Sequence, residues 1–145
     1  MKRIILSVAV MLTLGATAAF AGSEGNKKAQ QVFQEEFKGA EQVKWTEVNE
    51  FSKANFVLAG HRTEAWFGAD GELIGTIRDI FYNQLPVVVM RSLDKKFPDA
   101  TVIDLRETTG QKGTRYTLTM ENGGKKYKVS VAADGDIVEL KKLKK

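Results

Sequence analysis

The sequence predicts an α+β protein of two tandem units, each a helix followed by about four antiparallel strands, with the helices on one face of the sheet. Three observations carry this reading. The chain repeats itself, a helical apolar spacing opens each copy, and period-two alternation fills the rest. At an offset of 60, VFQEEFKGAEQVKW (Val32–Trp45) lies over SLDKKFPDATVIDL (Ser92–Leu105), with Phe37 on Phe97, Ala40 on Ala100, Val43 on Ile103 and Trp45 on Leu105. The same offset places Phe56 on Tyr116 and Leu58 on Leu118. Further along, FGADGELIG (Phe67–Gly75) lies over VAADGDIVE (Val131–Glu139), with Asp70 on Asp134. The second copy therefore carries extra residues, most simply placed around Asn122-Gly123-Gly124.

Taken in order, the first element is a targeting segment. Lys2 and Arg3 precede an uncharged apolar run, Ile4 through Phe20, and Ala19-Phe20-Ala21 has the small-x-small form of a cleavage site. The run is at the short end for a membrane span. The division is thus a signal peptide, 1–21, and one domain, 22–145, made of repeats at about 27–80 and 83–143. In the first repeat, Ala29, Val32, Phe33 and Phe37 have the spacing of one helical face. Leu85, Val88, Val89, Leu93 and Phe97 do the same in the second, where Asn83 can cap the helix, Pro86 fits its first turn and Pro98 stops it. Alternation then marks strands: Val43 and Trp45, Phe56 and Leu58, and Tyr127, Val129 and Val131 form the buried sets.

The Asp-Gly steps pose the one question of metal chemistry. A calcium loop needs oxygen ligands at alternate positions and a distant bidentate Glu. Asp70 and Glu72, like Asp134 and Asp136, are followed at once by apolar residues that belong to a strand. Both steps read as hairpin corners, where Gly supplies a positive φ. No cofactor or metal is expected.

Composition narrows the function. The full chain has a net charge of +4, which falls to +2 once Lys2 and Arg3 leave with the targeting segment. Such a balance argues against nucleic acid as a partner. There are no cysteines, hence no disulfides and no thiolate metal sites. The periplasm is the expected compartment, with secretion as the alternative, and no membrane span is expected in the mature chain. His61, the one histidine, falls in AGHRTE at an expected hairpin tip, where a solvated side chain is ordinary.

The motifs Phe37-x-x-Ala40-x-x-Val43-x-Trp45, Phe67-Gly68-Ala69-Asp70-Gly71 and Val131-Ala132-Ala133-Asp134-Gly135 resemble those of the PepSY-like periplasmic proteins. LPVVVMRSLDKKFPDA (Leu85–Ala100) is similar to that family's central helix and following turn. The family is described as similar to beta-lactamase inhibitor protein. The resemblance implies tandem helix-and-sheet units, no enzymatic activity, no cofactor, and an open sheet face that grips another protein. Gly68 departs from the family pattern, where Asp is common.

Two surfaces stand out as candidates. Ala65 and Phe67 share the phase of the buried set, so Trp66 points to the opposite face. Strict alternation gathers Val57, Ala59, Ile74 and Val138 there, among Lys44, Arg78, Arg115 and Lys128. An aromatic on a mixed polar face suits protein binding; packing on the stems of charged neighbours is the structural alternative. Lys125, Lys126, Lys128, Lys141, Lys142, Lys144 and Lys145 either discourage edge aggregation or form a basic patch for an anionic envelope component or an acidic protein. The function expected is a non-catalytic exported binding module, inhibitor-like, with a periplasmic or secreted protein partner on the open face. The alternative is a lipid- or peptide-binding envelope sensor that uses a groove between the repeats.

Overall fold

The structure, a computed structural model, describes residues 26–144. The targeting segment and Lys145 lie outside the described residues. Two helices, α1 (Lys27–Glu36) and α2 (Val87–Lys96), each precede four strands: β1 (Glu41–Val48), β2 (Phe51–Leu58), β3 (His61–Phe67) and β4 (Leu73–Asp79), then β5 (Thr101–Gly110), β6 (Gly113–Asn122), β7 (Lys125–Ala132) and β8 (Ile137–Lys142). All eight strands form one antiparallel sheet in sequence order. Both helices cover one face, so the α+β expectation holds in class and in element count.

Each helix builds its own core. Ala29 and Phe33 of α1 pack on Ala54, Phe56, Ala65 and Phe67, with Trp45 and Phe37 at the margin. The Phe33 ring meets Phe56 edge-on at 4.9 Å. Val89 and Leu93 of α2 pack on Leu105, Leu118, Val129 and Val131. Phe37 and Phe97 hold equivalent backbone positions, each closing its helix by donating its N–H to Phe33 and Leu93 respectively. Their burial differs: Phe97 is buried and Phe37 half-buried.

The Asp-Gly corners are the same object twice. Gly71 donates its N–H to Gly68 O and Gly135 donates to Ala132 O, both at 2.9 Å. Asp70 Oδ1 accepts from Glu72 N and Asp134 Oδ1 from Asp136 N, both at 3.1 Å. These carboxylates are thus used by the turn itself, as Asx turns are. Gly71 and Gly135 have φ of +80° and +94°. Each corner also carries the start of its own helix. A Cβ on Gly71 would stand 2.7 Å from Lys28 Cβ, and one on Gly135 would stand 2.9 Å from Ser92 Oγ. Asn26 caps α1 through Ala29 N (3.1 Å) and donates to Ala69 O (3.0 Å), which ties cap to corner.

Three expectations about elements are corrected. Asn83 does not cap α2: it lies in a 3-10 turn, Tyr82–Gln84, and Pro86 holds the cap position. Proline keeps Leu85 extended, so helix can begin only after it. Val88 is not a core residue but is 45% exposed, lying against the corner at Gly135. The extra residues of the second copy are not at Asn122–Gly124. Trp45 pairs with Ala54 and Leu105 with Leu118, while Ala54 pairs with Ala65 and Leu118 with Val129. Leu118 is therefore the counterpart of Ala54, and Met120 that of Phe56. The insertion lengthens the β5–β6 hairpin, whose strands have 10 residues each against 8 in β1 and β2.

Candidate functional site

The sheet face away from the helices is uncovered among the described residues, and the register defines what lies on it. One row runs Val57–Arg62–Asp79–Arg106–Thr117–Ser130, the next Lys44–Asn55–Glu64–Ile77–Thr108–Arg115, and a third Thr46–Lys53–Trp66–Gly75–Gly110. A shallow depression of about 340 Å³ opens over the first two rows, with Lys44, Asn55, Arg62, Glu64, Ile77 and Arg106 in its lining. Asp79 is its hub. Its carboxylate accepts from Arg62 Nε at 3.0 Å and lies 3.5 Å from Arg106 Nε, linking a strand of the first copy to one of the second.

Trp66 lies on this face and is half-buried. Lys53 Nζ stands 5.3 Å from its ring centroid, and its indole N–H donates to Glu64 at 3.3 Å. Val57 and Ile77 are half-buried on the same face. Phe51, opposite Val48, extends the apolar surface beyond Lys53. Ile74 reaches Gly68, its Cδ1 3.7 Å from where a Cβ there would stand. Glycines 75, 110 and 113 leave bare backbone beside Trp66.

Other members of the expected face are elsewhere. Arg78 lies on the helix side, in register with Thr63 and Glu107, and donates to Glu107 at 2.8 Å. The cause is a β-bulge at Ile74, where Phe67 pairs with Leu73 and Trp66 with Gly75. One extra residue inverts the alternation after it, so Ile77 and Asp79 face out and Arg78 faces in. Ala59 is a turn residue with φ +50°. Val138, at the matching bulge of β8, is exposed but on the far edge strand. Arg115 and Lys128 are on the open face, three and four strands from Trp66. Lys128 is roughly 19 Å across the sheet and 20 Å along it from Trp66, by strand spacing and rise. Nothing in the alternation flagged Arg62, Asp79 and Arg106 as a cluster; that takes the register.

The helix side between the two cores is polar. Arg78 and Glu107 pair there, beside Thr63, Thr76 and Thr109. Burial, and then the Glu107 charge, push Tyr116 above the ordinary tyrosine pKa. His61 is not a solvated tip. Its Nδ1–H donates to Asp79 O at 2.9 Å, Gln84 Nε2 approaches its Nε2 at 3.4 Å, and the Phe81 ring lies at 5.8 Å. It ties the first copy to the linker. Among the described residues, no three His, Cys, Asp or Glu side chains group as metal ligands, and no helix is long and apolar enough to cross a membrane.

No family model matches this sequence, and no curated protein does. Solved structures do. A BLIP-like protein from Bacteroides fragilis matches with a TM-score of 0.74 at 19% identity, over 86% of this chain and 91% of that one. A protein from Bacteroides eggerthii, described as periplasmic, matches with a TM-score of 0.73 at 17% identity, over 83% and 90%. A DUF2874 family protein from Bacteroides uniformis matches with a TM-score of 0.72 at 16% identity, over 81% and 88%. The chain has the BLIP-like fold, in which two helix-plus-strand units share one sheet.

Proposed function

We propose that this is a non-catalytic, exported binding module that takes a protein partner on the open face of its sheet. Trp66 carries the reading: a large, only half-buried aromatic with Phe51 and Ile74 near it, bare glycine backbone beside it and charged groups around it. Interfaces concentrate their energy in residues of this kind. The targeting segment argues for the periplasm, and the fold shared with a BLIP-like protein is compatible with an inhibitor-like role. The groove between the copies has less support as a lipid site, because Arg78, Glu107 and three threonines would have to be dehydrated by an acyl chain.

The test is capture from periplasmic extract by the chain from Gly22 onward, beside its Trp66→Ala variant. A discrete stoichiometric protein should be retained by the parent and lost from the variant, by about 2 kcal/mol or more if Trp66 is a hot spot. Equal retention by the two, or co-purifying lipid with no protein, counts against the proposal.

A further inference from the structure

We infer that the corner formed by β7, the end of β8 and the β6–β7 turn docks this protein on an anionic lipid surface. This goes beyond the open-face reading and does not depend on it. Lys128 and Lys141 are Cα partners across β7 and β8, on the open face. Lys126 follows two residues along the same face of β7. Like charges placed opposite one another weaken a strand pair. None of the three has a carboxylate within ion-pair distance among the described residues. Lys125 and Lys142 take the other face by alternation, and Lys144 follows beyond the strand. The acids of this hairpin are Asp134 and Asp136 at its opposite turn and Glu139 on the open face of β8, opposite Ser130 and two residues before Lys141, and Glu121 of β6 is the Cα partner of Lys126.

Discouraging edge pairing does not require two cations set against each other. An acidic partner protein would call for a shaped recess and forked guanidinium donors; here there are flexible point charges on both faces and the rim of a sheet corner. Exposed Leu140 (45%), in register with Val129, lies on the helix side next to Lys142, and exposed Val138 (49%) sits at the β8 bulge nearer the opposite turn, so apolar side chains border the lysines along the edge strand, as contacts with the headgroup boundary require. A diffuse negative surface with an apolar layer beneath it fits all of these features.

The experiment is co-sedimentation of the chain from Gly22 onward, which contains every described element and lacks the apolar N-terminal run. The vesicles are phosphatidylcholine alone, or phosphatidylcholine and phosphatidylglycerol in equal parts. Binding should occur only to the anionic vesicles and vanish in 1 M salt, where the Debye length is about 3 Å. One lysine near an anionic leaflet contributes about fivefold. The Lys126→Gln/Lys128→Gln/Lys141→Gln variant should therefore lose on the order of 100-fold. A control with Lys27→Gln, Lys38→Gln and Lys112→Gln changes net charge equally and should keep most of the binding. Equal losses in both variants would reduce the effect to net charge and overturn the inference. So would preference for soluble polyglutamate over vesicles, or no loss in the corner variant. The Lys128→Gln/Lys141→Gln double variant should melt no lower than its parent, since it removes an opposed like-charged pair; a lower melting temperature would assign these lysines to the fold and sink the docking role.

Discussion

Replacing Gly71 with Ala should cost far more than the same change at another turn glycine of positive φ. Two terms act at Gly71. The backbone sits at φ +80°, where a Cβ costs about 1–2 kcal/mol. The new methyl would also stand 2.7 Å from Lys28 Cβ and 2.9 Å from Ala29 N. The first contact is with a side chain, but the second is with helix backbone held by the Asn26 cap, so α1 must lift from the corner. Overpacking of this kind costs about 1–3 kcal/mol. Gly123 isolates the first term: its φ is +58° and nothing lies within 4 Å of a Cβ there. The expectation is about 1 kcal/mol for Gly123→Ala and about 2–4 kcal/mol for Gly71→Ala, read from urea unfolding at equal m-value. Gly135→Ala should resemble Gly71→Ala, because Ser92 Oγ and Val88 O would be at 2.9 and 3.0 Å. If Gly71→Ala and Gly123→Ala differ by less than about 0.5 kcal/mol, the helices do not rest on the corners as described.

Further expectations concern core, metal and pH. Phe97→Ala should cost about 3–5 kcal/mol in urea unfolding, and the half-buried Phe37→Ala clearly less; equal losses would contradict the unequal burial. Millimolar calcium should leave the melting temperature of both the parent and Asp70→Asn unchanged, because a ligand of the folded state alone would raise it. A rise that Asp70→Asn abolishes would overturn the corner assignment. Burial, and then the hydrogen bond its hydroxyl donates to Asp94 at 2.6 Å, push Tyr82 well above its ordinary pKa of 10.0. Above that value the unfolded chain has fewer protons bound than the folded one, so stability falls as pH rises. Tyr82→Phe should flatten that fall, and an unchanged slope would remove Tyr82 as a source.

What the sequence makes legible is whatever has a period. The helical faces at Ala29–Phe33 and Val89–Leu93, the alternation of β7 and the paired corners all appear without coordinates. Two features escape for definite reasons. Lengthening β5 and β6 by two residues each keeps every side chain in phase, so Phe56 aligns as well with Tyr116 as with its true counterpart Met120. The bulge at Ile74 does the opposite, reversing the phase by one and carrying Arg78 to the helix side. Its one trace in sequence is Gly75 inside a strand, where a Cβ would meet Thr109 O at 2.5 Å. Trp66 is legible because β3 has no bulge before it, whereas Arg62, Asp79 and Arg106 come from three strands and meet only through register.

The two surfaces should act independently. Trp66 and the Lys128–Lys141 pair are roughly 28 Å apart on one face, by strand spacing and rise. The Debye length at physiological salt is about 8 Å, so little of the lysine field reaches Trp66. Trp66→Ala should therefore leave vesicle binding unchanged, and the Lys126→Gln/Lys128→Gln/Lys141→Gln variant should leave protein capture unchanged. Independent effects sum in a variant carrying all four changes. If Trp66→Ala instead weakens vesicle binding, or the lysine variant loses the captured protein, a single ligand must span the full width of the sheet. A bilayer can do this only if the whole open face lies flat upon it. Capture from extract in the presence of anionic vesicles decides the point: independent surfaces give a ternary assembly, and a shared surface gives competition.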